Sequence, residues 1–180
     1  MMRLSLVIFI TIIIGTTSVF GQSRSNIGIG YGLTKPYSSD YNFSSGVFLQ
    51  GDIALQNKLA ISPDIGYNRL SSKTASDVAP LSSPIDNANL YHFGISLKYN
   101  FTKNIFAKAG PTFYMVQGTE DTIGIGLGGA GEVGYNLNID KYNTFAFSFN
   151  TSVINITSFG NGVTPIASLK VAYVINFKGQ

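Results

Sequence analysis

Six charged side chains, Asp52, Asp64, Lys98, Lys108, Glu132 and Lys170, interrupt stretches that otherwise alternate between large apolar and small residues. Each falls on the small, polar set of its stretch. A lone charge enclosed in a low-dielectric interior costs several kcal/mol, so these groups must meet one another or a polar partner. A hairpin about residues 117–122 sets Lys108 opposite Glu132, with both side chains on one face. The chemistry on offer is ion pairing: ammonium and carboxylate groups that tie neighbouring elements together, a structural network in preference to a gated channel.

Proton transfer and nucleotide binding are the other chemistries to weigh. His92 is the one histidine, the side chain suited to shuttling protons near neutral pH. His92-Phe93-Gly94-Ile95-Ser96 puts the imidazole and a hydroxyl on one face of an extended segment. An acyl hydrolase also needs an acid held against the imidazole and access to its substrate. No acid is obviously paired with His92, so a structural histidine near one rim is expected. Gly124-Ile125-Gly126-Leu127-Gly128-Gly129 matches the G-x-G-x-x-G spacing of dinucleotide sites. That motif works only between a strand and a helix N-terminus. No helix-period segment follows it, so these glycines read as a crowded wall where only small side chains fit.

Metal and thiol chemistry have little support. Cysteine is absent, which removes disulfides and thiolate ligands, and a single histidine removes a His-rich cluster. Asp40, Asp77, Asp86, Glu120 and Asp121 sit in polar connecting segments. Carboxylates can hold hard cations, but the spacing of a calcium loop is missing, so solvated groups are expected. No metal or cofactor is assigned. The net charge of +3 and the lack of a basic patch point away from nucleic acid.

The elements that must position these groups are strands. Period-two alternation runs over 26–33, 46–55, 59–70, 89–99, 105–116, 123–136, 144–153 and 166–177, with turn residues between. Pro63 lies inside the third run, where a bulge or local distortion is expected. The connections after the first, third, fifth and seventh runs tend to be longer than those after the others. Residues 71–88 form the longest connection and the best candidate for contacts with a partner.

Alternation alone does not say which face is inside. Only 12% of residues are charged, and the mid-strand charges keep to the small face. Placing those charges against lipid would cost about 2–4 kcal/mol each for Lys at the bilayer midplane. Tyr67 and Tyr91 lie at one end of the runs and Tyr99, Tyr135, Phe145 and Phe177 at the other, in the manner of interfacial girdles. The expected fold is all-β: an eight-stranded antiparallel up-and-down transmembrane barrel, large residues outward and a largely plugged polar lumen. A soluble small-ligand barrel, with large residues inward, is an alternative; so is a lipid-modifying enzyme.

Ahead of the barrel, Arg3 and the apolar run 4–14 have the composition of a secretory signal, with Val19-Phe20-Gly21 as its cleavage site. The expected organisation is residues 1–21 as signal peptide and 22–180 as the barrel domain.

On these residues the chain resembles the small eight-stranded outer-membrane barrels of Gram-negative bacteria, of the OmpA/OmpX type. In particular it is similar to the outer membrane protein beta-barrel domain family, which includes PorT-like proteins. Barrels of this kind end on a strand read by the barrel-assembly machinery: a polar residue, a glycine, then two hydrophobic residues. Lys170, Ala172, Ile175 and Phe177 match those places, with Ala172 where the glycine stands and Lys178-Gly179-Gln180 following. The resemblance implies an outer-membrane location with both termini periplasmic, and contact with outer-membrane lipid and lipopolysaccharide. It also implies a non-enzymatic structural or loop-mediated binding role; no peptidoglycan-binding domain is expected after the last strand.

Overall fold

A computed structural model describes residues 25–37, 41–71, 88–117, 123–155 and 163–177. The signal segment 1–21, the five loop acids Asp40, Asp77, Asp86, Glu120 and Asp121, and the 178–180 tail lie outside them. Eight strands follow in order: β1 (Asn26–Pro36), β2 (Ser44–Ala54), β3 (Leu59–Leu70), β4 (Ala88–Asn100), β5 (Ile105–Gln117), β6 (Ile123–Asn138), β7 (Asn143–Asn155) and β8 (Val163–Asn176). Each pairs antiparallel with its sequence neighbours, and β8 returns to β1, so the sheet closes. Closure leaves no unpaired strand edge, which is what a hydrocarbon environment demands of a sheet.

The alternation predicted from sequence is the alternation of the wall. On every strand the inward side chains are the even-numbered ones, because each cross-strand pairing joins two even or two odd positions. The odd set faces out and carries the large apolar residues, among them Ile29, Leu49, Ile65, Phe93, Phe113, Phe147 and Leu169. A soluble barrel would need the reverse. Most strands run a few residues past the alternating stretch, as β1 does through Thr34-Lys35-Pro36. Backbone pairing needs no apolar outer face, so the ladder outlasts the lipid-facing pattern.

Pro63 does not create a bulge. Pairing of β3 with β2 lapses opposite Gly51 and Asp52 and resumes at Ile53–Ile61 without any shift of register. Pairing of β4 with β5 lapses in the same way beside Pro111, between Gly94–Thr112 and Leu97–Ala109. One missing N–H removes the one bond on which two consecutive pairs depend. The other edge of each proline strand stays fully paired, at Pro63–Ile95 and Pro111–Gly129. The distortion is therefore a gap in the ladder with no residue inserted.

One end carries three short turns, 55–58, 101–104 and 139–142; the other carries the connections 37–43, 71–87, 118–122 and 156–162. Tyrosines near the turn end bond asparagines: Asn104 Nδ2 donates to the Tyr135 hydroxyl at 3.2 Å and the Tyr173 hydroxyl donates to Asn143 Oδ1 at 2.5 Å. Tyr67 does the same with Asn89 near the loop end, at 2.8 Å. Such rings have an apolar body and a polar tip and suit a bilayer interface at each rim.

Candidate functional site

The even-numbered residues build a lumen in three layers. Nearest the loop end is an apolar layer of buried Tyr41, Leu70, Ala88, Leu90, Tyr114, Val116, Ile154 and Ile166. Apart from Tyr41, which precedes β2, it comes from strand ends where the inward parity continues with large residues. Reading the small face as uniformly small or polar missed this layer, although the parity of Leu70, Leu90, Val116, Ile154 and Ile166 was the signal for it. Just inside, the Thr34 hydroxyl bonds Asn68 Oδ1 at 3.1 Å and the Ser168 hydroxyl at 3.0 Å.

The middle layer holds charge. Lys108 and Glu132 are direct cross-strand partners, with Nζ and Oε1 3.2 Å apart. Lys170 reaches the other oxygen of the same carboxylate at 3.3 Å, and Asn150 donates to it at 3.4 Å. Lys108 also donates to Gln50 Oε1 at 3.4 Å. Asp64 takes His92 Nε2 at 3.1 Å, which supplies the acid that no sequence motif paired with the histidine. The imidazole also lies beside the Tyr114 ring, at 6.3 Å between centroids. Toward the turn end Lys98 and Asp52 meet at 2.6 Å, Asn26 donates to the same carboxylate oxygen at 2.9 Å, and the Lys98 ammonium sits 4.3 Å above the Phe106 ring. Three lysines and three carboxylates thus face inward, and every one of the six has a partner. The open space between the middle and the apolar layer is about 40 Å³.

The glycines on the inward face make room for these layers. Phe48 lies over its cross-strand partner Gly30, where an added Cβ would collide with the ring. Phe106 lies over its partner Gly134 in the same way. Gly126 and Gly128, in the stretch that matches the dinucleotide spacing, are inward wall positions of β6 with no helix after them.

Below the Lys98–Asp52 pair the lumen widens into a polar cup of about 470 Å³ at the turn end. Asn26, Gln50, Asn100, Asn136, Asn138 and Asn176 line it, with Lys103, Asp140 and Lys141 at its mouth. Asp140 is spent on its own turn. Its carboxylate accepts the backbone N–H groups of Tyr142 and Asn143, at 2.6 and 2.8 Å, and the Asn143 amide at 2.8 Å. The Asn143 side chain first, then those two N–H groups, hold the Asp140 carboxyl below its ordinary value of 3.8.

The closing strand places Lys170 inward and Ala172 inward and buried, in a cluster with Phe48, Ala146 and Val174. Ile175 faces outward, and Phe177 lies just past the end of β8 with its N–H donating to Ser25 O at 2.9 Å. Gly30, the partner of Ala172, leaves the room that the Phe48 ring occupies.

Comparison with known proteins adds the following. The sequence model of the family described as outer membrane protein beta-barrel domain matches residues 7–177. A search among curated proteins finds no match. Among solved structures the chain is similar to Neisserial surface protein A, NspA, at 17% identity and a TM-score of 0.62, covering 87% of this chain and 99% of that one. It is similar to OprG from Pseudomonas aeruginosa at 11% identity and 0.61, covering 89% and 99%. It is similar to Ail, the attachment invasion locus protein of Yersinia pestis, at 11% and 0.56, covering 87% and 99%.

Proposed function

The chain belongs to the outer membrane protein beta-barrel domain family, and from that premise we propose that it is a non-enzymatic, non-conducting barrel that reinforces the envelope and presents its loops to a partner. It is an integral protein of the Gram-negative outer membrane, and its odd-numbered face is its lipid surface. The short turns and both termini face the periplasm in this reading, as the asymmetry of connections in such barrels implies. Residues 1–21 direct export. The loop end meets lipopolysaccharide, and its longest connection, 71–87, is the surface offered for binding.

The observation that carries the non-conducting reading is the layering of the lumen. Eight strands leave an interior that side chains can fill, and here a charged layer and an apolar layer stack across it. The balance of three lysines and three carboxylates favours neither cations nor anions. A lipid-modifying role is disfavoured because the His92–Asp64 pair points into the lumen, away from lipid. The test is electrical. Purified barrel in planar bilayers gives no stepwise conductance, and Leu90→Ala with Ile166→Ala, which thins the apolar layer, creates it. Regular steps from the unaltered protein would overturn the reading.

A further inference from the structure

The turn-end cup is lined by amides that offer donors and acceptors side by side. Asn176 spends its Nδ2 on Tyr142 O and Thr144 Oγ1, which leaves its amide oxygen to the cup. Asn138 is the reverse: its Oδ1 accepts from Thr144 and its Nδ2 is unspent. Gln50 gives its oxygen to Lys108 and keeps its Nε2. The Asn136 side chain makes no hydrogen bond among the described residues and offers both ends of its amide. These groups are neighbours on one wall. Asn138, Thr144, Val174, Gly28 and Gln50 pair in succession across β6, β7, β8, β1 and β2. Asn136 and Ala146 pair in the next inward row toward the middle, and Asn176 and Asn26 in the next row toward the turns. The amides thus surround a small apolar patch of Ala146 and Val174. The charges favour neither sign of ion. Asp52 is held by Lys98 and Asn26, and Asp140 by its own turn. Lys103 and Lys141 stand on exposed turns at the mouth, where water screens them.

We infer that this cup binds a neutral, polyhydroxylated solute: a sugar, free or at the end of a glycan chain. Each sugar hydroxyl is at once a donor and an acceptor, and so matches a wall where both kinds of group stand together. An anion would face the amide oxygens of Asn136 and Asn176, and a cation the amide N–H groups of Gln50 and Asn138. The C–H face of a pyranose ring suits the patch of Ala146 and Val174. The cup, at about 470 Å³, falls within the range of about 300–1,000 Å³ of small-molecule sites. The binding chemistry stands whichever way the barrel is oriented; the periplasmic orientation proposed above says only from which side the solute arrives.

The barrel is reconstituted in phosphatidylcholine nanodiscs and titrated with glucose, with a linear dextrin and, at constant ionic strength, with inorganic phosphate. Side-chain amide resonances of Gln50, Asn136, Asn138 and Asn176 report the cup. At least one of the two sugars shifts them saturably, and the tighter of the two tells a free sugar from a chain end. Phosphate leaves them in place. Asn136→Ala weakens sugar binding by about five- to tenfold, the scale of about one neutral hydrogen bond. Its side chain ties nothing in the wall together, so the variant folds as before, which heat-modifiable migration on a gel checks. Asn57→Ala removes an amide from another turn at the same end, outside the cup, and leaves binding unchanged. A linear drift without saturation is the response to any co-solute and counts as no binding. Saturable shifts with phosphate, or with neither sugar, overturn the inference. So does a response insensitive to Asn136→Ala, or one weakened equally by Asn57→Ala, which is binding at the exposed turns in place of the cup.

Discussion

Glu132 is the residue on which the charged layer turns, since one carboxylate satisfies both Lys108 and Lys170. Glu132→Gln keeps the shape but leaves two ammonium groups facing a neutral amide in a buried site. The cost is about 3–5 kcal/mol, the range for breaking a buried pair from one side. Replacing the whole triad with apolar residues of similar size, Lys108→Met, Glu132→Leu and Lys170→Met, should recover most of it, because the desolvation penalty goes with the charges. Urea unfolding in lipid vesicles, followed by the loss of heat-resistant migration on gels, measures both. A Glu132→Gln barrel as stable as the unaltered one would mean that the layer is hydrated and the pairs are incidental. Much at this scale was legible. Lys108 and Glu132 could be set opposite each other from the short loop between their strands alone. His92 and Asp64 could not, because a connection of 71–87 hides the register of β3 against β4.

The strands show how much local pattern can carry and where it stops. Alternation gave every strand and its facing, since parity is conserved across each antiparallel pair. It was silent on the apolar layer, because composition averaged over a face hides a change along it. It allowed either a bulge or a local distortion at Pro63 and could not choose between them: a missing N–H removes a bond without demanding an extra residue. Pro63→Ala tests that account. The new N–H at position 63 should close the lapse opposite Gly51, without a change of register because none is displaced now. The added hydrogen bond contributes about 0.5–1.5 kcal/mol, offset by about 0.4–1 kcal/mol from the greater freedom of the unfolded chain. Stability should therefore move little, while the amide at 63 becomes strongly protected from hydrogen exchange. A freely exchanging amide there would show that the gap is held open by the surrounding wall.

Assembly of the whole barrel depends on β8 in two separable ways. It closes the sheet, pairing with β1 from Asn26–Asn176 to Pro36–Ile166 and with β7 from Asn143–Ile175 to Asn155–Val163. In the proposed reading its last residues are also an address, with Lys170, Ala172, Ile175 and Phe177 recognised by the assembly machinery. Deleting 175–180 removes few rungs. Gly28–Val174 through Pro36–Ile166 remain on one side, and Thr144–Val174 through Asn155–Val163 on the other. The bonds lost at that rim include Asn176 to Tyr142 and Phe177 to Ser25. The truncated chain should therefore still fold into detergent or thin lipid vesicles in vitro and migrate as a heat-modifiable band. In cells it should fail to reach the outer membrane, with folded protein in that fraction falling by about tenfold or more for want of a recognised terminus. The scale is judged from the lack of any competing route for closing a sheet inside a bilayer. Removing 178–180 alone leaves Phe177 in place and should be harmless. If the 175–180 deletion inserts normally in cells, the address lies elsewhere. If it fails in vitro as well, the rim bonds of β8 are needed for closure itself and the two roles are one.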